Sequence, residues 1–495
     1  MMIDIEVYRP EVILALFALI VPGVGLLVRR YFKDVSVSKV CAAFALLGVF
    51  LAFFDAFMFV WNNSAGVYEP VSGLLKLDQF SALFMMIFLA VAFYVILASA
   101  RFIQEDKHQP EFYALILLAT VGMLVVASST DLITLFIGIE MTSISSYALV
   151  AFRKRDAKGA EAAVKYFIIG GLSSGLTLFG ISLLYGVAHT TSFVGIGQAV
   201  TMNSPMQSVI FLALVLVVAG FGFKVAIAPF HMWAPDVYEG APTTVTAMLA
   251  AGSKKMGFVA LFKVLLIGLF AIKSNWDVLI GIVAIVTMTV GNLSAIQQTN
   301  IKRMLAYSSI AQAGYILIAI PVGTQYALAA GIMQIMTHAF MKGGAFLIVA
   351  TLATVAIGES INSYKGLSKR APFMAFGMAV LLFSLAGIPP LAGFFSKFVL
   401  FSSPIQQASV PGSEWMIWLA IAAIINSAIS LYYYVRIVKY MYVDDAEEGT
   451  PTEKLKVPLS MTAAVAICVF MVIIIGVWPD PFFTAAQHAA AAFFA

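Results

Sequence analysis

The stretch GFGFKVAIAPFHMWAPD, residues 220–236, decides how this chain folds, because it places Lys224 and two prolines inside an apolar segment. Proline removes a backbone donor and clashes with the preceding helical turn, so a helix is expected to break near Pro229. Inside a membrane, unwound backbone is tolerated where it lines a cavity or is buried in protein. The stretch predicts a broken helix with a lysine at the break, and a simple proline kink is the alternative.

A second stretch, GIPPLAGFFSK at residues 387–397, combines the same elements. Here Pro389 and Pro390 follow a glycine, and Lys397 lies seven residues after the second proline. Paired segments interrupted by glycine and proline, one in each half of a transporter, mark its ion path. The two stretches together predict a transport function.

The rest of the chain is strongly apolar. Of its 495 residues, 62% are hydrophobic and 11% are charged, whereas soluble domains are about 45–50% apolar and about 25% charged. No soluble core buries so much apolar surface, so the solvent is lipid. In lipid each backbone polar group needs an internal partner, and the long apolar segments exclude a barrel of short alternating strands. The fold class predicted is all-α integral membrane.

Polar and turn-rich breaks separate fourteen apolar segments, and a helix needs roughly 20 apolar residues to cross a bilayer. We therefore predict about 14 transmembrane helices, of which helices 7 and 12 are the broken ones. The predicted spans are 11–28, 40–61, 78–100, 112–128, 131–152, 163–187, 207–231, 243–270, 276–297, 303–321, 326–356, 372–400, 414–440 and 458–478.

Basic residues are distributed unevenly among the loops. Of 29 lysines and arginines, 20 lie in loops after odd-numbered spans and only 3 in the N-terminus and the loops after even-numbered spans. The positive-inside rule assigns the first set to the cytoplasm and both termini to the outside. The net charge of +4 is small and by itself says nothing about nucleic acid. From the apolar composition we expect a lipid bilayer as the partner and no nucleic acid.

The remaining six basic residues lie within apolar spans, where an ionised side chain costs about 2.5–3.5 kcal/mol on insertion scales. Such residues mark ion or proton paths. The alternative is that some reach an interface or form fixed ion pairs, and this applies best to Lys255 and Lys263. These residues are Lys224, Lys254, Lys255, Lys263, Lys342 and Lys397, and Glu140 lies within a span as well.

Lysine suits proton transfer at mid-membrane, because burial disfavours its charged form and a nearby carboxylate opposes that effect. We therefore predict Glu140 and Lys224 as a control pair, although the sequence does not show that they touch. His338 and Lys342 are four residues apart and share a helix face. A histidine there either relays protons or bonds to a neighbouring helix, and the sequence leaves both readings open.

A faint internal repeat relates 131–147 to 300–315. It divides the chain into an N-terminal part of three helices (1–101), two five-helix units (112–270 and 276–440) and a C-terminal helix with its tail (458–495). Because five is odd, the second unit has the opposite topology, as in the inverted repeats of many transporters.

The sequence contains no recognisable site for redox chemistry. Its two cysteines, Cys41 and Cys468, are too few for an iron–sulfur cluster, which takes four ligands. The sequence also lacks a plausible pair of haem ligands, a metal motif and a nucleotide-binding loop. We expect no catalytic redox residue and no bound metal here, so electrons flow elsewhere in a larger complex.

Several motifs closely resemble the N subunit of bacterial NADH-quinone oxidoreductase, which is related to subunits of Mrp antiporters. They occur in that family's order and span about residues 78–480, and the segment after Pro235 favours the N type. The matching motifs are LFIGIE at 135–140, FGFKVAIAPFHMWAPDVYEGAP at 221–242, GNL at 291–293, QTNIKR at 298–303, SLAGIP at 384–389 and GVWP at 476–479.

The resemblance implies a proton-translocating, non-redox subunit of a complex I-type enzyme in a prokaryotic cytoplasmic membrane. It implies fourteen helices in two inverted five-helix bundles and a hydrated path across the membrane. Glu140 is then the acid of helix five, Lys224 the lysine of helix seven, Lys254 that of helix eight and Lys397 that of helix twelve, towards the exit. Flavin and iron–sulfur clusters are expected in partner subunits, together with other subunits of the membrane arm.

One segment departs from that pattern, because the His338 and Lys342 of THAFMKGGAF (337–346) are absent from many bacterial N subunits. They suit archaeal relatives such as the membrane arm of F420H2 dehydrogenase, which reduces methanophenazine, so the electron donor and acceptor stay open. Two alternatives also stay open. One is an Mrp-type cation/proton antiporter without a redox partner, and the other is a structural spacer whose buried charges only pair.

Overall fold

The computed structural model describes residues 9–32, 34–62, 68–71, 73–202, 206–446 and 453–494. The first and last predicted domains, 1–101 and 458–495, each include terminal residues that lie outside this description.

The described chain is built almost entirely of helices, joined mostly by short loops. Two π-helical segments, Leu249–Ser253 and Val264–Gly268, flank α11, and 3-10 turns cover Phe270–Asn275 and Ile361–Tyr364. The α-helices are α1 Arg9–Tyr31, α2 Val37–Asn62, α3 Gln79–Phe102, α4 Gln109–Ser128, α5 Leu132–Val150, α6 Ala157–Ala188, α7 Phe193–Met202, α8 Gln207–Val225, α9 Trp233–Gly240, α10 Thr243–Met248, α11 Lys254–Lys263, α12 Asp277–Ile296, α13 Ile301–Leu317, α14 Ala319–Val322, α15 Gln325–Ala353, α16 Leu367–Arg370, α17 Pro372–Ala386, α18 Ala392–Gln407, α19 Met416–Tyr442, α20 Leu459–Val477 and α21 Asp480–Phe494.

Twelve helical segments among the described residues are long and apolar enough to cross a membrane. The other two predicted spans, the eighth and the twelfth, are assembled from shorter pieces. Span eight runs from α10 through both π-helical segments, and span twelve consists of α17 and α18. The predicted membrane fold of helices is therefore confirmed, while the count of fourteen stays a prediction. The sequence missed one small antiparallel hairpin, β1 Tyr68–Val71 and β2 Leu75–Leu77.

Helix α15 is the central element, because its membrane-length window is buried on every side. It packs against α10, α17, α18 and α20. Outer helices such as α1, α2 and α6 instead expose large apolar side chains, among them Leu19, Phe50 and Phe167. Apolar side chains are stable on the outside only where lipid or another protein covers them. The polar side chains of α15 consequently lie at the core of the molecule.

The first break lies between α8 and α9. Helix α8 ends at Val225, and Ala226 adopts a left-handed conformation with φ of 53°. The peptide bond between Ala228 and Pro229 is cis, and α9 begins only at Trp233. The chain therefore leaves the helix for seven residues, which is a true interruption and not the simple kink considered above.

The second break is built in the same order. Helix α17 ends at Ala386, Gly387 adopts φ of 93°, and the peptide bond between Pro389 and Pro390 is cis. Helix α18 then begins at Ala392. A left-handed residue at a helix end usually has to be glycine, which the second break obeys and the first does not.

The two stretches that the sequence related to each other also begin alike. Asp131 caps α5 and Asn300 caps α13, each through a side-chain oxygen that accepts from two backbone N–H groups. Each cap also pairs with a later strand-like segment, Asp131 with Ser192 and Asn300 with Ser360. The same combination of a helix cap and a strand-like pairing thus occurs twice, with nearly the same number of residues between the two paired positions.

Candidate functional site

Six lysines of the predicted spans are buried, with at most 5% of each residue exposed. Within the described chain, none of them forms an ion pair within 4.0 Å of a carboxylate. A buried ammonium without a counter-charge costs several kcal/mol unless hydrogen bonds compensate for it. The hydrogen-bond partners of each lysine therefore indicate whether its ammonium is held in place or can exchange protons.

Lys224 and Glu140 each bond to a different hydroxyl and do not form a direct ion pair in the described structure. Lys224, on α8, donates to the hydroxyl of Ser143 at 2.9 Å. Glu140 lies three residues earlier on α5 and accepts from Ser174 of α6 at 2.6 Å. Residues three apart lie on the same helix face, so the carboxylate and the ammonium approach one another across one turn of α5. The two residues of the predicted pair are therefore neighbours, but their side chains do not form a direct ion pair.

Lys254 begins α11, immediately after the π-helical segment. It donates to the carbonyl oxygen of Ser309 on α13 at 2.9 Å, and the Ser309 hydroxyl lies 3.5 Å away. Short π-helical insertions are frequent at functional sites. This insertion sets the register in which Lys254 meets α13.

Lys255, the next residue, has a different environment. In the described structure its amine has no hydrogen-bond partner and lies 5.9 Å from the ring centroid of Phe258 on its own helix. Of the two adjacent lysines, Lys254 is thus the one that joins the polar groups of α13.

Helix α15 supplies the middle of the site. Lys342 donates to the Ser308 hydroxyl at 2.7 Å, and Ser308 is in turn in short hydrogen-bond contact with the hydroxyl of Tyr434 on α19. One turn away, His338 is fully buried, and neither of its ring nitrogens has a partner in the described structure. One alternative was that His338 only hydrogen-bonds to a neighbouring helix. The described structure contains no partner for such a bond. Such unpaired polar atoms are places where buried water binds.

A side-chain network continues from α15 towards the second break. Gln334 donates to Gln312 at 2.8 Å and accepts from Ser396 at 2.6 Å. Thr337 donates to the same serine at 3.1 Å. These residues were not predicted from the sequence, because isolated glutamines, serines and threonines in apolar spans carry no spacing signal. The network links α13, α15 and α18.

Lys397 lies at the second break and caps the end of α17. Its ammonium donates to the carbonyl oxygens of Leu385 at 2.8 Å and Ala386 at 3.1 Å, and to the Ser427 hydroxyl at 2.9 Å. A cation is favourable at a helix C-terminus, where carbonyls lack intrahelical partners. The Tyr315 ring lies 5.2 Å from the same amine.

Lys263 is held in a similar way, at the opposite end of α11 from Lys254. It donates to the carbonyl oxygens of Val126, Ala127 and Ser129, at 3.1, 2.6 and 2.6 Å, where α4 ends. Three carbonyl acceptors require all three protons of an ammonium. Lys263 is therefore anchored to the end of α4, and in the described structure its partners are carbonyls and not the carboxylate of an ion pair.

An ion-pair cluster near the start of α13 was also missed. Arg303 pairs with Asp236 at 2.9 Å and with Glu239 at 2.8 Å, and Lys165 pairs with the same aspartate at 2.8 Å. Lys302, which is buried, contacts Glu359 at 3.2 Å. The sequence signal for this cluster was the pair of acidic residues, Asp236 and Glu239, that follows the first break.

The arrangement brings together buried amines, an imidazole, hydroxyls and one partly buried carboxylate, all of which are groups that can exchange protons. No group of three or more histidine, cysteine, aspartate or glutamate side chains suited to a metal is found in the described part of the chain. Pro229 and the Pro389–Pro390 pair are placed at the two breaks, beside the ends of α8 and α17. The sequence-predicted residues, from Glu140 to Lys397, thus lie on α5, α8, α11, α15 and α18.

Comparison with known proteins identifies relatives over the whole chain. The chain is 44% identical to subunit N of the F420H2 dehydrogenase of Methanosarcina mazei, with 98% of each chain covered. It is 39% identical to NADH-quinone oxidoreductase subunit N of Trichlorobacter lovleyi, over 94% of this chain and 93% of that one. A chain of respiratory complex I from Thermus thermophilus superposes with a TM-score of 0.78 at 29% identity, covering 96% of this chain and 98% of that chain.

The family model for "NADH:quinone oxidoreductase/Mrp antiporter, TM" matches residues 129–430. This range includes all the site residues, from Glu140 to Lys397. The chain belongs to this family of antiporter-like membrane subunits and, by its full-length relatives, to the N subunits within it.

Proposed function

We propose that this chain is the proton-translocating subunit N of a complex I-type enzyme and contains no electron carrier of its own. The observation that carries the proposal is the series of buried amines from Lys224 to Lys397, whose partners are hydroxyls and carbonyls instead of carboxylates. Ionisable residues inside membrane spans are functional by default. The relatives support the enzyme class, since the names of both belong to oxidoreductases.

The path runs through Lys224, Lys254, His338, Lys342 and Lys397. Glu140 acts as the control group, because its approach to Lys224 favours the ammonium and its withdrawal releases the proton. Moving one charge against 100 mV costs about 2.3 kcal/mol. A change of one to two units in the proton affinity of a lysine covers that cost, since one unit corresponds to about 1.4 kcal/mol.

The energy for this change comes from electron transfer in partner subunits, which hold the flavin and iron–sulfur clusters. The identity of 44% to the F420H2 dehydrogenase subunit, against 39% to the NADH-quinone one, favours F420H2 as the donor. Other membrane-arm subunits pass the conformational or electrostatic signal to this chain.

Two repeats, 112–270 and 276–440, provide the frame for the path. The matching caps at Asp131 and Asn300 and the two similarly built helix breaks support this division. The uneven distribution of lysine and arginine supports an orientation with both termini outside a prokaryotic cytoplasmic membrane.

The test is Lys224→Gln in the purified complex, reconstituted into vesicles and assayed for electron transfer and for proton uptake. We expect the complex to assemble and to transfer electrons, but to move fewer protons per electron than the parent. Lys365→Gln, a change on a loop, is the matched control and keeps full pumping. Full pumping by Lys224→Gln contradicts the proposal, and sodium transport without any electron donor favours an Mrp-type exchanger instead.

A further inference from the structure

Helix α9, which follows the first break, is tied by ion pairs to a helix of each proposed repeat. Its Asp236 pairs with Lys165 of α6 at 2.8 Å and with Arg303 of α13 at 2.9 Å. Glu239, at the other end of α9, adds a second contact to Arg303 at 2.8 Å. We call Lys165, Asp236, Glu239 and Arg303 the clasp. It joins α6 of the first repeat to α13 of the second.

Close packing supports the clasp on both sides of α9. Towards α6, the ring of Tyr166 stacks on Trp233 with centroids 4.7 Å apart and ring planes 12° apart. Gly240 approaches α6 so closely that a Cβ atom there would lie 2.7 Å from a carbonyl oxygen of that helix. Towards α13, Lys302 donates to the carbonyl oxygen of Ala241 at 3.1 Å. Because close-packed elements transmit strain, α9 is expected to move together with α6 and α13.

The two helices joined by the clasp also hold groups of the proposed proton path. On α6, Ser174 donates to the carboxylate of Glu140 at 2.6 Å. On α13, Ser308 accepts from the ammonium of Lys342 at 2.7 Å. The control group of the first repeat and a buried amine of the second are thus each bonded to a helix that the clasp holds.

Both helices are continuous between the clasp and these serines. On α6, Lys165 precedes Ser174 by nine residues, which is roughly 14 Å at 1.5 Å per residue. On α13, Arg303 precedes Ser308 by five residues, which is roughly 8 Å. Rigid helices and ion-pair networks of this kind carry energetic coupling between distant sites.

Within the described structure, the link between α6 and α13 depends mainly on Asp236. A second link runs through Glu239, but its contact with α6 is weaker, because Lys158 is 76% exposed at its side chain and its amine lies 3.6 Å away. Exposed ion pairs of that kind contribute little. Without Asp236, each of its two cations still has another carboxylate, Glu161 for Lys165 and Glu239 for Arg303. Loss of Asp236 therefore breaks the link without leaving a charge unpaired.

We propose that Asp236 is a positioning residue that couples the state of Glu140 to proton binding at Lys342, through α6, α9 and α13. The proposal rests on the proposed function and adds to it a link between the two repeats that does not pass through the amines between them. When Glu140 forms or breaks its bond to Ser174, α6 shifts, and the clasp moves α13 with it. The Ser308 hydroxyl then moves towards Lys342 or away from it.

The first test is a double-mutant cycle on proton uptake in the reconstituted complex. Ser174→Ala and Ser308→Ala are measured singly and together, first in the parent and then with Asp236→Asn. In the parent, the combined effect should differ from the product of the single effects by at least about twofold, as for coupled residues. With Asp236→Asn, the combined effect should equal the product. The proposal is overturned if the parent shows no deviation, or if the deviation persists with Asp236→Asn.

The matched control is the same cycle with Asp444→Asn. Asp444 is also partly exposed and pairs with Lys439 at 3.1 Å, after the end of α19 and outside the clasp. The deviation should remain in this control and also with Asp236→Glu, which keeps the carboxylate. If the deviation disappears with Asp444→Asn, loss of any ion pair is sufficient and the proposal is wrong.

The second test breaks the clasp from its two sides. Lys165→Gln and Asp236→Asn should each lower the number of protons moved per electron, by about the same factor and with the complex intact. Because both changes break one link, their combination should lower it no further. A clearly larger loss in the combination overturns the proposal. Full pumping by Lys224→Gln overturns the proposed function instead, whereas lost pumping by that variant with an unchanged cycle overturns only the role of Asp236.

Discussion

The two helix breaks share a backbone design but are closed by different donors. At the first break, the indole N–H of Trp233 donates to the carbonyl oxygen of Phe223 at 2.9 Å. At the second break, the ammonium of Lys397 donates to two carbonyl oxygens at the end of α17. The lysine of the first break, Lys224, is left free of the backbone and bonds to Ser143.

Because of this difference, the lysines of the two breaks have different roles, although the sequence pattern around them is similar. Where a neutral donor seals the helix end, the lysine is available to respond to Glu140. Where the lysine itself seals the helix end, its protonation and the integrity of the break depend on each other, because a neutral amine supplies only two donors. We infer that the first break controls protonation and that the second couples protonation to the structure of the break.

The largest effect is expected from Lys397→Met, set beside Lys224→Met. The first change removes the charged donor from the carbonyls of Leu385 and Ala386, which keep only the Gln312 amide at 3.2 Å and the Ser427 hydroxyl at 3.4 Å. It should destabilise the subunit by about 3 kcal/mol, since bonds to charged groups contribute about 1.5–3 kcal/mol each. The second removes a single bond to a hydroxyl. Both variants should lose pumping, but only Lys397→Met should dissociate from the complex at markedly lower temperature.

The measurement is the fraction of this subunit kept in the complex after heating to graded temperatures, with Lys397→Arg as the conservative control. Equal heat sensitivity of the two methionine variants would contradict the division of tasks between the breaks.

Lys263→Met tests whether sealing a helix end is enough to make a lysine part of the proton path. Lys263 also bonds to helix-end carbonyls, but none of its partners belongs to the site. We expect a loss of stability similar to that of Lys397→Met, about 3 kcal/mol, with unchanged protons per electron in the complex that survives. A loss of pumping at normal stability would place Lys263 on the path.

Trp233→Phe should have a smaller effect, because it removes only the indole donor from the Phe223 carbonyl, which still accepts from the backbone N–H of Ala226. One net hydrogen bond contributes about 1 kcal/mol. Trp276→Phe is a matched control, since that indole donates to the carbonyl of Leu269 at the same 2.9 Å but lies outside the break. We expect similar loss of heat stability in both variants and slower proton uptake only in Trp233→Phe; slower uptake in both would remove the break from the explanation.

Much of this organisation follows from the sequence, for reasons that are local. Proline and glycine restrict the backbone wherever they occur, so the breaks near Pro229 and Pro390 were predictable. Ionisable residues in apolar spans are rare enough to single out Lys224 and Lys397. The hairpin after α2 carries no comparable signal.

The partners of the lysines could not be predicted in the same way. Lys263 and Lys397 both lie in apolar spans, and only the packing of α4 and α17 shows which carbonyls each one meets. The π-helical register before Lys254 and the hydroxyl of Ser309 likewise depend on contacts between helices distant in sequence. Serine and threonine are common in membrane helices, so their type and spacing do not distinguish a partner from a bystander.

The smallest effect, and the finest test of the comparison, comes from the two serines. Ser143→Ala removes the hydroxyl to which Lys224 donates, whereas Ser427→Ala removes one of three acceptors of Lys397. A net hydrogen bond contributes about 1 kcal/mol, which corresponds to roughly fivefold in an equilibrium. Because Lys397 keeps its two carbonyls, proton uptake should slow several-fold in Ser143→Ala and hardly change in Ser427→Ala. The reverse order would show that the hydroxyl, and not the helix end, holds Lys397, and the two breaks would then work alike.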